Sequence, residues 1–131
     1  MRHEDVQILI IDDVNSMKVQ LKDLLRLFGF RAIYSADNGE EAKELMQTNE
    51  FHLVLADWHM EPTNGLQLLQ WTRAQSVYND LAFIMVTADN TKESVIQAIQ
   101  NGVDDYLIKP LTILQVQNKV YAVLFKRKIL Q

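Results

Sequence analysis

The 131-residue sequence contains no cysteine, which excludes a disulfide framework, a thiolate metal site and a thiol nucleophile. It has only two prolines and four glycines, and no repeat, linker or low-complexity stretch interrupts it. No apolar run approaches the ~20 residues of a membrane span. The opening residues Met1-Arg2-His3-Glu4-Asp5 lack the apolar stretch of a signal peptide. Positive charge is also short: 13 Lys and Arg against 17 Asp and Glu leave a formal charge of −4, which argues against general nucleic-acid binding. The one basic cluster, Lys126-Arg127-Lys128, is expected to be the solvated end of a helix, where cations suit the dipole. What remains is 48% hydrophobic and 23% charged, the balance of a globular chain able to build one core without staples. A single domain over residues 1–131 is expected, located in the cytoplasm, with no membrane and no nucleic acid among its partners.

Apolar blocks alternate in type along the chain. Residues 6–11 (VQILII) are short and rich in β-branched side chains, as a buried parallel strand requires. Val14, Met17, Leu21, Leu24 and Phe28 follow at steps of three and four, predicting the apolar stripe of a helix that Gly29 stops. Residues 31–35 read as a second strand. Asn38 with Glu41 predicts a capped helix over 39–48. Residues 51–56 form a third strand that runs into Asp57. Residues 57–65 hold Pro62, Asn64 and Gly65 and read as a loop, followed by a helix over 66–74. Residues 81–86 are a fourth strand. Asn90 with Glu93 predicts the cap of a helix ending near Asn101-Gly102. A short strand over 104–108 precedes Lys109-Pro110. The last helix spans 112–128, with Ile113, Val116, Val120, Val123 and Leu124 expected inward. This βαβαβαβαβα order implies an α/β fold, a doubly wound parallel sheet of five strands flanked by five helices.

In such sheets functional groups collect at the carboxyl ends of the strands. Those ends hold Asp12-Asp13, Asp57, Thr87-Ala88 and Lys109-Pro110. Each alone is unremarkable, since an Asp after a strand usually caps a turn and a Lys there is usually solvated. Together they describe one chemistry. Two carboxylates ~4 Å apart repel by about 4 kcal/mol at an effective dielectric of ~20. Three acids therefore need a cation or must hold protons. Hard oxygen donors without Cys favour Mg²⁺, which binds carboxylates, water and phosphate oxygens. A carboxylate can attack phosphorus to form an aspartyl phosphate, and that transfer needs positioning and charge neutralisation. Asp57, after the middle strand, is the candidate nucleophile. Asp12 and Asp13 are the candidate metal ligands, and Thr87 and Lys109 the candidate phosphoryl-holding groups.

The segments ILIIDDVNSMK (8–18), LVLADWHM (53–60), NGLQLL (64–69), IMVTAD (84–89) and GVDDYLIKP (102–110) resemble a two-component response-regulator receiver domain of the CheY-like single-domain type. The resemblance covers essentially the whole chain. It implies the flavodoxin-like strand order 2-1-3-4-5 and phosphorylation of Asp57 by a histidine kinase, a histidine phosphotransfer protein or a small phosphodonor. It implies that Asp13 binds Mg²⁺ directly, Asp12 largely through water, and that the backbone carbonyl of His59 completes the shell. Thr87 and Lys109 would hold the phosphoryl group. Tyr106, by its residues alone a half-buried strand aromatic, would turn inward as Thr87 moves. The surface of the fourth helix, fifth strand and fifth helix would then change its preference for a downstream protein target. The chain would be a monomer and a switch, possessing no catalysis beyond its own phosphorylation and dephosphorylation. Chemotaxis, a phosphorelay and control of an enzyme in trans are equally compatible outputs.

Three positions depart from the family pattern. Met60-Glu61-Pro62 places proline one residue later than usual and adds an acid beside the site. His59 is not the commonest residue at its position, and with Asp89 it is expected to tune dephosphorylation. Leu111 stands where an aromatic is frequent. Other readings differ in class. An Mg²⁺-dependent aspartyl phosphatase also places Asp after a strand, but usually has a second Asp where His59 stands. A flavin site would set phosphate against Asp12-Asp13. A degenerate receiver would not keep every acid. A receiver cut from a longer regulator would owe its output to a missing domain. A zinc site using His59, Asp57 and His52 requires His52 to leave its strand. Trp58 and Trp71 read as packing or surface aromatics.

Overall fold

Strands and helices alternate throughout the computed structural model, which describes residues 1–131. In chain order the elements are β1 (Gln7–Ile11), α1 (Asn15–Leu27), β2 (Ala32–Ala36), α2 (Gly39–Thr48), β3 (Leu53–Asp57), α3 (Gly65–Arg73), β4 (Ala82–Thr87), α4 (Lys92–Gln100), β5 (Asp105–Ile108) and α5 (Ile113–Lys126). Short 3-10 turns occupy His3–Asp5 and Ser76–Tyr78. The strands form one parallel sheet in the order β2-β1-β3-β4-β5.

Strand side chains alternate between two apolar layers, as the period of two requires. Ile8, Ile10, Leu53, Leu55, Ile84, Val86 and Leu107 face α1 and α5. Leu9, Ile11, Val54, Ala56, Phe83 and Met85 face α2, α3 and α4. Burying one such aliphatic side chain stabilises the fold by about 1.5–3 kcal/mol. That two-sided burial explains why the inner strands read as continuous apolar runs.

Register decides which residues meet. Ile11 pairs with Ala56, Asp57 with Val86, and Thr87 with Ile108. The residues just beyond these pairs, Asp12, Thr87 and Lys109, therefore arrive beside Asp57 at one edge. Helices α2 to α5 start where capping side chains satisfy first-turn N–H groups. The Asn38 side chain accepts from the Glu41 N–H, and Asn64 and Gln67 form a reciprocal capping box.

Four local expectations need correction. Val14 is exposed, because its N–H donates to the Asp12 carboxylate (2.9 Å) and holds it extended before α1 begins. The buried stripe of α1 is carried instead by Leu21 and Leu25, with Met17, Leu24 and Phe28 partly covered. Ile113 is also exposed, and the buried stripe of α5 starts only at Val116. The cap of α4 is Thr91 rather than Asn90: the Thr91 side chain accepts from the Ser94 N–H. Arg127 is not merely solvated, because its Nε donates to Asp104 at 2.7 Å.

Asp104 anchors the amino edge. Its carboxylate accepts from the Phe83 N–H (2.7 Å), Arg73 Nη2 (3.1 Å) and Arg127 Nε (2.7 Å). It thereby ties α3 and the end of α5 to the start of β4. At the β5 edge, Tyr106 and Ile108 direct backbone groups away from β4, and side chains take all four of them. Tyr106 N–H donates to Asp105 Oδ1 (2.8 Å), and its carbonyl accepts from Lys119 Nζ (2.9 Å). Ile108 N–H donates to Gln115 Oε1 (2.8 Å), and its carbonyl accepts from Gln115 Nε2 (3.2 Å).

Removing one partner of a buried charged pair strands the other. Asp104→Ala leaves the Phe83 N–H without its acceptor and removes the charged partner of Arg73 and Arg127, which keep only carbonyl acceptors, and should cost about 2 kcal/mol of unfolding free energy. Urea titration of the variant checks this. An unchanged midpoint would show that Asp104 contributes nothing to stability.

Candidate active site

The carboxyl edge holds the acids. Oxygen atoms of Asp12, Asp13 and Asp57 lie within 4.8 Å of one another. β1 delivers Asp12 and Asp13, and β3 ends on Asp57. Asp12 and Asp57 are buried, whereas Asp13 opens to solvent. Lys109, just past β5, reaches across: its Nζ is 3.0 Å from Asp12 Oδ2 and 3.6 Å from Asp57 Oδ2. Burial pushes the Asp57 carboxyl above its usual range. Lys109 opposes that shift, Asp12 adds to it, and the backbone N–H groups of His59 and Trp58 oppose it.

Thr87 ends β4 fully buried, and its Oγ1 accepts from the Asp89 N–H at 3.2 Å. Tyr106 is buried rather than half-exposed, and its hydroxyl donates to the Asp89 carbonyl at 2.7 Å. Burial, then the charges of Asp89 and Asp57, push that phenol up to about 12, so it remains a donor at neutral pH. His59 is exposed on the loop after β3. His52 lies just before β3, not at this edge; its Nδ1 accepts from the Gln7 N–H at 2.9 Å, which takes it away from any metal with His59. Trp58 is buried beside the acceptor, and Trp71 lies under the Lys43 ammonium, 5.4 Å from the ring centroid.

The acceptor loop is shaped by close packing. A Cβ on Gly65 would lie 2.3 Å from the Asp57 carbonyl oxygen and 2.9 Å from Trp58 Cα, so only glycine lets α3 start this close to the end of β3. Pro62 follows a cis peptide. Thr63 is buried against Gly39, and its hydroxyl donates to the Glu40 carboxylate. Beside the acids, a cavity of about 420 Å³ is lined by Asp13, His59, Met60, Glu61 and Asn64. A larger groove lies at the opposite edge, near Phe51 and Tyr78.

Sequence reasoning passed over one pair near this edge, and it did not foresee the partners of Asp89. Lys18, one turn into α1 and buried, pairs with Asp37 at the end of β2. No spacing signal marks that pair, because its members come from different elements. The Asp89 carboxylate is engaged with the start of α4, where it accepts from Thr91 N–H, Thr91 Oγ1 and Ser94 Oγ.

Comparison with known proteins places this geometry in a family. The response regulator receiver domain profile matches residues 8–121. The chain belongs to the response regulator receiver domain family. The chemotaxis protein CheY-3 of Vibrio cholerae is 35% identical over 118 residues, covering 90% of this chain and 91% of that protein. A chemotaxis protein CheY homolog of Campylobacter jejuni is 35% identical over 120 residues, covering 91% and 92%. A two-component response regulator from Clostridium difficile superposes with a TM-score of 0.84 at 30% identity, over 93% of this chain and 98% of that one. Receiver domains of this kind are signalling switches of two-component systems. No helix of this receiver is long and apolar enough to cross a membrane.

The raised Asp57 carboxyl sets a pH dependence. A carboxyl whose folded pKa lies above its unfolded value binds its proton more tightly in the native state, so stability falls as pH rises through the folded pKa. Asp57→Asn should therefore raise the urea midpoint of the metal-free protein at pH 7. The gain should vanish near pH 3, below the ordinary carboxylate range of ~3.9. A midpoint unchanged at both pH values would reject the assignment of strain to Asp57.

Proposed function

We propose that this receiver accepts a phosphoryl group on Asp57 and passes the signal by altering which protein docks on its α4–β5–α5 face. The observation that carries the reading is Lys109 Nζ lying 3.0 Å from Asp12 and 3.6 Å from Asp57. An ammonium from just past the last strand and acids from the first and third then share one small volume, and Thr87 ends the strand paired with that of Asp57.

The donor set suits Mg²⁺: three hard carboxylate oxygens within 4.8 Å, one acid open to solvent for entry, and no soft ligand. Asp13 and Asp57 would hold the ion, with Asp12 and the His59 carbonyl completing its surroundings. Bound there, Mg²⁺ supplies charge neutralisation for the phosphoryl oxygens. An Asp57 carboxylate oxygen attacks phosphorus, and the bond to the leaving group breaks in line. The leaving group is the imidazole of a phosphohistidine on a kinase or phosphotransfer protein, or acetate from acetyl phosphate. Lys109 draws its ammonium toward the new phosphoryl oxygens, and the Thr87 hydroxyl donates to one of them. Tyr106 is already buried, with its hydroxyl on the Asp89 carbonyl, so its response to Thr87 would be a change in that hydrogen bond rather than a swing from solvent.

The docking face has an apolar surface to offer, since Ile96 and Ile99 on α4 and Leu114 on α5 are exposed. The named relatives support chemotaxis as the pathway. Catalysis is confined to the chain's own aspartyl phosphate.

Acetyl phosphate with Mg²⁺ should add one phosphoryl group, read as a single mass increment by intact-mass spectrometry. Asp57→Asn should abolish it, and equal labelling of that variant would reject the nucleophile. Lys109→Met should slow labelling by about 10²-fold, the usual cost of one stabilising donor of developing charge. A rate within twofold of the parent would remove Lys109 from the site.

A further inference from the structure

Residue 89 joins three parts of the molecule. Its N–H donates to Thr87 Oγ1 at 3.2 Å, and its carbonyl accepts from the Tyr106 hydroxyl at 2.7 Å. Its carboxylate accepts from Thr91 N–H (3.0 Å) and Thr91 Oγ1 (2.9 Å) through one oxygen, and from Ser94 Oγ (2.7 Å) through the other. Thr91 is itself the cap of α4, accepting from the Ser94 N–H. The start of that helix is thus held by a tandem: Asp89 fixes Thr91 and Ser94, and Thr91 fixes the first turn.

Both carboxylate oxygens are committed to α4. The Ser94 hydroxyl, then the Thr91 N–H and hydroxyl, then the nearby His59, keep this acid below its ordinary range, so it accepts as a carboxylate at neutral pH. Two of the residues it touches by its backbone are the ones the phosphoryl group would move. Drawing Thr87 toward a phosphoryl oxygen pulls on the Asp89 N–H, while Tyr106 limits how far the peptide can follow. The carboxylate is the only side-chain link from that peptide to α4, and α4 carries the exposed Ile96 and Ile99.

We infer that the Asp89 carboxylate is a positioning group: through Ser94 and Thr91 it makes the start of α4 follow the Thr87–Tyr106 pair. Its task is to transmit the state of the site to the docking helix rather than to handle water at the phosphoryl group. This inference rests on the receiver reading of Asp57.

The test uses the full chain, with beryllofluoride and Mg²⁺ as the phosphoryl mimic, and reads backbone amide exchange over residues 91–100. In the parent, adding the mimic should change exchange there. Ser94→Ala should bind the mimic within twofold of the parent affinity, yet lose at least half of that exchange response. Ser94→Thr, which keeps the hydroxyl, should restore it. Asp89→Ala should lose the response altogether, with the first turn exchanging at least tenfold faster even without the mimic. A purely structural role would leave the response to the mimic intact once the faster baseline is subtracted. Parent-like responses in Ser94→Ala and Asp89→Ala overturn the coupling while leaving the receiver reading in place. Failure of the parent to bind the mimic, with Asp57→Asn indistinguishable from it, overturns both.

Discussion

The attraction between the Lys109 ammonium and two buried acids holds together a site that would otherwise repel itself. Asp12 and Asp57 cannot both be ionised in a buried pocket without a nearby cation. The single ammonium lies within 3.0 and 3.6 Å of them, but it serves two acids, and burial still pushes Asp57 up. The pocket is thus poised short of full compensation. It has a standing appetite for a further positive charge and, once that charge is present, for an anion.

That charge balance is possible only because of register. Parallel pairing of β1 with β3, β3 with β4 and β4 with β5 levels the strand ends. The two apolar layers then lock each strand against slipping, because a slip of one residue would turn Ile10 or Leu55 to the wrong layer. Hydrophobic alternation and the chemistry at the edge are therefore one constraint. Thr87 and Tyr106 sit on adjacent strands of that sheet and meet through residue 89.

Most of this was legible in the sequence for reasons of locality. Short β-branched runs, 3–4 spacing in helices and Asn caps are read within a few residues, and α2 lies where its Asn38 cap indicated. The acids, Thr87 and Lys109 were legible because each follows a strand. What escaped depends on partners distant in the chain. Val14 and Ile113 fit a helical period, yet Val14 is the extended residue before α1 and Ile113 opens α5, and both are exposed. Asn90 resembled a cap, but the cap is Thr91, which the Asp89 carboxylate holds through the Thr91 N–H and hydroxyl. Arg127 looked like part of a solvated basic tail because Asp104, 23 residues earlier, could not be foreseen as its partner. The Lys18–Asp37 pair was hidden in the same way.

The sheet's outer border at β5 carries a further implication. An exposed strand normally invites another chain to zip onto its backbone, and β5 is such an edge strand. Here Gln115 fills both amide positions of Ile108 like a folded-back peptide, while Lys119 and Asp105 occupy those of Tyr106. A visitor therefore finds no main-chain ladder to extend and must recognise shape and side chains instead. Recognition of that kind can respond to small shifts of a neighbouring helix, whereas an added strand would hold on whichever way that helix leaned.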